Sequence, residues 1–454
     1  MGAALRLREL LRGLWGQPAI GSFGVAPSLL WAFAVLLAAG CSGDAPRGEA
    51  LLPAALGSGE PTAVVMSEIL ASLPIQLCLE GDTLVVVAVG EPLLVDDPAN
   101  PEASIEYAGA RATVYVHEAD GEWRQQAVLF PEGKTRALRW GESCALQGDR
   151  LVLGSPREQL VYVFERSEEG EWQQKSVISG ESRHGFGVSI ALDGSILAVG
   201  TSTEGQVYLY KHTDDGQWQH TQTLPSSDER VLSFGAAIAL ADGSLAVGAP
   251  TIEVSQGAVY LYSMAALGGE WVLEGRLESE PGALIEFTGF GSTLALDSGV
   301  LAVGAPETYS VLPFEETEEG FQVGAVHVFE RDEGGSWAQV TQIQPNGEAR
   351  LRDGAFWGFP ELLGTQVAIS GGVLVILAAR ERSYHGEEMG AATGALYVYA
   401  KEGGEWERQV RVEPVNDLGT GALFGRTMGF DSGRLAIGYV RLGAEDGVVG
   451  VNVY

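Results

Sequence analysis

From about residue 75 to the C-terminus, apolar residues fall in short runs separated by turn residues, and no 3.6-residue period is sustained. One unit reads Phe234-Gly235, then AAIALADGSLAVGAP, an insert, Gly257, then AVYLY, a turn, and Glu270-Trp271. Its first half is two apolar runs around Asp242-Gly243, a dipeptide suited to a two-residue hairpin because that turn needs positive φ. Its second half alternates apolar and polar positions and then crosses a short turn to a tryptophan-bearing run. Four short antiparallel strands per unit are predicted.

The unit recurs. Copies start at Phe186 (FGVSIALDGSILAVG), Phe290 (FGSTLALDSGVLAVGAP) and Leu423 (LFGRTMGFDSGRLAIG). A worn copy runs from Phe356 (FWGFPELLGTQVAISGGVLVILA), and two earlier ones, from Ile75 and Glu142, lack the Phe-Gly. Alternating segments follow at Thr113, Leu160, Gln206, Ala258, Ala325, Ala395 and Val448, and tryptophans at Trp123, Trp172, Trp218, Trp271, Trp337 and Trp406. Seven such units, spaced by about 46 to 69 residues, predict an all-β fold: a seven-bladed propeller of four-stranded antiparallel blades. The blades are expected near 75–130, 140–180, 186–225, 234–278, 290–344, 356–413 and 424–454. The last unit stops at Tyr454 without a tryptophan strand, so residues 62–70 (TAVVMSEIL) are expected to supply it and close the ring.

Phe-Gly…Val-Gly-Ala-Pro…Gly-Ala-Val-Tyr resembles the FG-GAP repeat of integrin α-chain propellers and of bacterial surface lipoproteins, over roughly residues 62–454. The resemblance implies a fold far more strongly than an activity. Many such repeats carry an acidic calcium loop between the first two strands. Here that place holds only Asp193-Gly194, Asp242-Gly243, Asp297-Ser298-Gly299 and Asp431-Ser432-Gly433. One carboxylate cannot supply six to eight oxygens, so these read as hairpin turns, and no metal or cofactor is expected. Phenylalanine at the head of each inner strand is expected to wedge between blades. Each tryptophan, burying 150–250 Å², contributes about 4–6 kcal/mol gross and reads as packing rather than a sugar platform.

The N-terminus changes the picture. Arg6, Arg8 and Arg12 precede the apolar run Leu29–Ala39, which is too short to span a bilayer and ends in Leu37-Ala38-Ala39-Gly40-Cys41. Residues 1–40 resemble a lipoprotein signal peptide cleaved before an acylated Cys41, although Ala38 stands where leucine is usual. Residues 41–61 read as a flexible tether and 62–454 as the propeller. The chain is therefore expected to be exported and held at a membrane through lipid alone, at the outer membrane or cell surface rather than on a periplasm-facing inner membrane.

Charge narrows the partners. The chain carries 28 basic and 60 acidic residues, a net charge of −32, and losing three arginines and Glu9 with the signal moves it to −34. Nucleic acid is excluded as a partner. Cys78 lies three residues before Gly81 and Cys144 four before Gly148, which points them to opposite faces of equivalent strands and predicts two buried free thiols over a disulfide.

No nucleophile elbow, phosphate loop or zinc spacing is present, and none of the six histidines pairs at ligand spacing. What remains are three long inserts between second and third strands, at 91–110, 306–323 and 379–393. They carry Asp96, Asp97, Tyr107, Tyr309, Phe314, Glu315, Glu316, Tyr384, His385 and Glu387, an acidic, aromatic-dotted set on one face of a rigid scaffold. The expectation is a monomeric, non-enzymatic binding or adhesion module for a protein or polysaccharide. Two alternatives are a structural subunit of an envelope complex and a hydrolase using insert carboxylates such as Glu315 and Glu387, which needs a pair about 5–9 Å apart.

Overall fold

The computed structural model describes the strands and most turns of residues 63–454; residues 1–62, 67–73, 90–92, 98–99, 108, 133–139, 181–184, 202–204, 227–232, 252–256, 266–268, 280–287, 311–320, 345–350, 353–354, 357–361, 380–381, 386–387, 393, 413–422 and 442–447 lie outside the description. The protein is an all-β, seven-bladed propeller of four-stranded antiparallel sheets. Blade 4 is typical: Ala237–Ala241, Ser244–Ala249, Ala258–Met264 and Trp271–Glu278 pair in chain order. Asp242 and Gly243 make its inner turn at φ 51° and 70°, the positive-φ pair the dipeptide foretells.

Blade 7 is assembled from both ends of the described chain. Leu423–Asp431, Arg434–Arg441 and Val448–Val453 are its first three strands, and Ala63–Met66 pairs with the third, Ala63 opposite Val453.

Hydrophobic packing lies between blades rather than within them. Each strand sends alternate side chains to the two neighbouring sheets: Ala258, Tyr260 and Tyr262 pack toward blade 3, Val259 and Leu261 toward blade 5. Every seam has such a cluster. Between the last and first blades Ala436, Val451 and Val453 meet Leu77, Leu79, Leu84 and Val86. Most of the fully buried aromatics head the inner strands: Phe186, Phe234, Phe290 and Phe424 are each at most 1% exposed, as are Tyr162 and Tyr260 of third strands. Trp140, also fully buried, heads blade 2, so Trp140-Gly141 occupies a Phe-Gly position that the motif string hides. In blade 6 that position belongs to Leu363-Gly364, not to the Phe-Trp-Gly at 356–358. Of the strand tryptophans, Trp172 and Trp271 are buried, whereas Trp123, Trp218, Trp337 and Trp406 are only partly so.

The two glycines of the motif share one cause. A Cβ on Gly248, in the second strand of blade 4, would land on the Gly291 carbonyl oxygen of blade 5, and Gly291 itself holds φ 90°. The same approach joins Gly200 to Gly235 and Gly304 to Gly364. Ser143, Ser189 and Thr293 add a hydroxyl donated to the carbonyl of Gly187, Gly235 and Gly364 in the next blade, at 2.6, 2.6 and 2.9 Å.

The cysteines correct an expectation. Cys78 and Cys144 are joined as a disulfide, their Cα atoms 6.2 Å apart. The two side chains do point to opposite faces of equivalent strands. In a stack of sheets, however, the opposite faces of neighbouring blades are the ones that meet.

Candidate ligand-binding face

Because neighbouring strands run antiparallel, the second-to-third connections of all blades emerge on one face, and the inner and outer hairpin turns on the other. On the connection face, blades 1, 5 and 6 carry hairpins of their own. Leu93–Asp97 pairs with Asn100–Tyr107, Tyr309–Ser310 with Phe321–Gln322, and Arg382–His385 with Glu388–Ala392. The connections of blades 2, 3 and 4 are shorter, four residues in the case of 156–159. The hairpins thus stand on three of the four consecutive blades 5, 6, 7 and 1, and the face is stepped.

The structure sets several predicted residues on these hairpins. Tyr107 lies opposite Leu93, Asp96 opposite Ser104 and Asp97 opposite Asn100. Tyr309 lies opposite Gln322, Tyr384 opposite Met389 and His385 opposite Glu388. Phe314, Glu315, Glu316, Glu387 and Cys41 lie outside the described residues.

Below the hairpins the face is acidic and hydrogen-bonded. Glu307, at the foot of the blade 5 hairpin, has its carboxyl raised above the usual range by burial, and its N–H donates to the Thr288 carbonyl at 3.0 Å. On blade 2, Glu158 accepts from Ser155 Oγ at 3.2 Å and from Tyr162 Oη at 3.1 Å. Burial first, and the Glu158 charge second, push the Tyr162 phenol up, so it remains a donor. Gln159 reaches the next blade, its Oε1 accepting from the Phe186 N–H at 3.2 Å. Carboxylates and a phenol are among the described groups of this face. Among the described residues no three His, Cys, Asp or Glu side chains converge as a metal-ligand set.

No protein-family model and no curated protein matches the sequence. Among solved structures, the crystal structure of a protein from Lactobacillus plantarum is similar at a TM-score of 0.45 and 13% identity, with 76% of this chain and 87% of that one covered. The likeness says nothing about what this chain binds.

The opposite, turn-bearing face shows what the short acidic turns do. In five blades the side chain just before the inner turn accepts the turn N–H of the next blade: Asp297 from Gly371 at 2.9 Å, Asp431 from Gly81 at 2.9 Å, Gln147 from Gly194 at 2.6 Å, Glu80 from Gly148, and Ser370 from Ser432. Arg150 and Arg434, at equivalent places, donate to the Gly194 and Gly81 carbonyls and also contact His212 and His117 of the following blade. Sequence reading took these turns as local hairpin chemistry. The overlooked signal was a polar acceptor at the same place in six of seven copies (Glu80, Gln147, Asp193, Asp297, Ser370, Asp431).

Proposed function

We propose that the protein is a non-enzymatic binding module, held at a membrane by a lipid on Cys41, that presents the hairpin-bearing face of its propeller to a protein or polysaccharide. One observation carries the reading: on one face, three of four consecutive blades carry a hairpin, while the connection of blade 2 is only four residues long. A rigid ring that spends its insertions on one sector builds a wall beside a terrace, a shape suited to seating a large ligand rather than enclosing a small one.

Direction supports display. Ala63 lies opposite Val453, at the turn end of blade 7, so the chain enters the ring on the face away from the hairpins. An anchor N-terminal to Ala63 therefore joins the ring on the turn face, away from the hairpins. A buried Cys78–Cys144 disulfide belongs to an oxidising compartment and supports export. The repeat is read as FG-GAP-like, with the close-approach glycines and the buried ring at five of the seven blade heads as the physical content of the motif. Among the described residues no helix is long and apolar enough to cross a membrane.

The test is co-sedimentation of the acylated protein with whole cells and with purified envelope polysaccharide, compared with variants whose hairpins 93–107, 309–322 and 382–392 are each replaced by a two-residue turn. Binding that drops at least tenfold while the melting temperature holds supports the reading. Undiminished binding by the triple replacement overturns it.

A further inference from the structure

The seam between blades 1 and 2 is built differently from the others at its inner edge. Elsewhere that edge is closed in one of two ways. Either a glycine of the second strand lets the next blade's carbonyl approach, as Gly248 does for Gly291, or an inner side chain bonds across. Gln366 Oε1 accepts from the Met428 N–H at 2.9 Å, and Thr427 Oγ1 from the Leu77 N–H at 3.2 Å. Blade 1 has neither device at this position; what joins the two inner turns is the Glu80 carboxylate accepting the Gly148 N–H, a contact that four other seams have in kind. Val87 stands at its close-approach position, opposite Gln76, and its branched side chain fills the space before Gly141. Among the described residues Gln76 makes no bond to blade 2.

The wedge there is also unlike the rest. Trp140 replaces phenylalanine and packs edge-on against Tyr162 and Phe164, at 6.1 and 6.0 Å between ring centres. Its indole Nε1 is buried without a hydrogen-bond partner, which costs stability that a phenyl ring does not. The rim of the same seam is ordinary: Trp172 Nε1 donates to Gln126 at 2.9 Å, and the Glu132 N–H to Gln174 at 3.0 Å. At this one inner edge lies the disulfide, two residues along the strand from Gln76.

We propose that Cys78–Cys144 is a compartment-dependent staple: as thiols, the seam opens at its inner edge, and oxidation closes it. Closure takes two electrons and two protons from the two thiols and forms the S–S bond. The oxidant is a disulfide of the thiol–disulfide oxidoreductase class, itself reduced to a dithiol. The ring then becomes uniformly stable only where such an oxidant operates. The inference does not depend on the binding proposal.

Hydrogen exchange on the full chain purified from the envelope tests it, with a non-reducing peptide map of the same sample. The map should show 78 and 144 in one linked peptide. A phosphine reductant, or the double substitution Cys78→Ala and Cys144→Ala, should lower protection about tenfold or more in 76–89 and 143–155, while 237–249 and 293–305 change less than about twofold. Free thiols in the map, an even loss around the ring, or no loss at either strand pair would each overturn the proposal. If the double variant does not fold, the reductant on folded protein still decides.

Discussion

At the residue scale the ring is held by contacts between blades, and each makes a measurable demand. Gly248→Ala puts a methyl group onto a backbone carbonyl that cannot retreat without shifting blade 5; a loss of about 2–3 kcal/mol is expected in chemical denaturation. Glu80 is a subtler case. Its carboxylate accepts the Gly148 N–H, yet burial, reinforced by Asp431, raises its carboxyl above the usual range. A raised folded-state value stabilises below the unfolded value and loses that contribution as pH climbs through the folded one, so at neutral pH the charge opposes folding. Gln147 does the same work in blade 2 without a charge. Glu80→Gln should therefore hold or raise the melting temperature at pH 7, whereas Glu80→Ala, which strands the N–H, should cost about 1 kcal/mol.

His327 carries the clearest pH signature. It is 3% exposed, its ring lies edge-on to Phe290, and burial lowers its basicity. The unfolded chain then binds the proton first, so stability present above the ordinary histidine value is lost as pH falls through it toward the lower folded one. Blades 3, 4 and 6 place Tyr208, Tyr260 and Tyr397 at the equivalent position. His327→Tyr should flatten the decline in melting temperature between pH 7 and 5; an unchanged slope would remove His327 from the account.

At the element scale the sequence spoke plainly where chemistry is local and poorly where it is between blades. Asp-Gly and Ser-Gly turns, alternating third strands and the three inserts were legible, because each depends on neighbours along the chain. The head of blade 6 was not. Phe356-Trp357-Gly358 imitates the motif, but in blades 2 to 5 and in blade 7 the motif glycine lies six residues before the residue that opens the inner turn. Counting back from Ser370 reaches Gly364, and from Gln147 reaches Gly141. The cysteines were misread for a related reason: opposite faces separate side chains within one sheet but join them across a stack. In six blades the outer strand carries a bulge at one position (Gln126, Lys175, Thr221, Glu274, Val340, Gln409), which twists the exposed edge away from pairing. The blade 1 hairpin is an addition to this frame, not part of it. Replacing 93–107 by a two-residue turn should shift the melting temperature by no more than about 2 °C, within the range of a surface change.

At the scale of the whole molecule, a ring packed at every seam takes its chain in on one face and raises hairpins on the other. Charge sets the company it keeps: at −32 the protein repels anionic surfaces within about 8 Å at physiological salt, so the proposed membrane attachment is assigned to a tether rather than to adhesion to lipid. The candidate residues of the hairpins were legible as a set, because length and composition mark an insert. How they are arranged with respect to one another was not, since that depends on side chains meeting across blades. Brief protease treatment of intact cells, with mass spectrometry of the released peptides and of the mature N-terminus, puts the proposed display to the test. The expected result is acyl chains on Cys41 and first cuts within 90–108, 311–320 and 379–393, made without lysis. Cuts appearing only after the envelope is broken, or falling first in the turns of the opposite face, would contradict it.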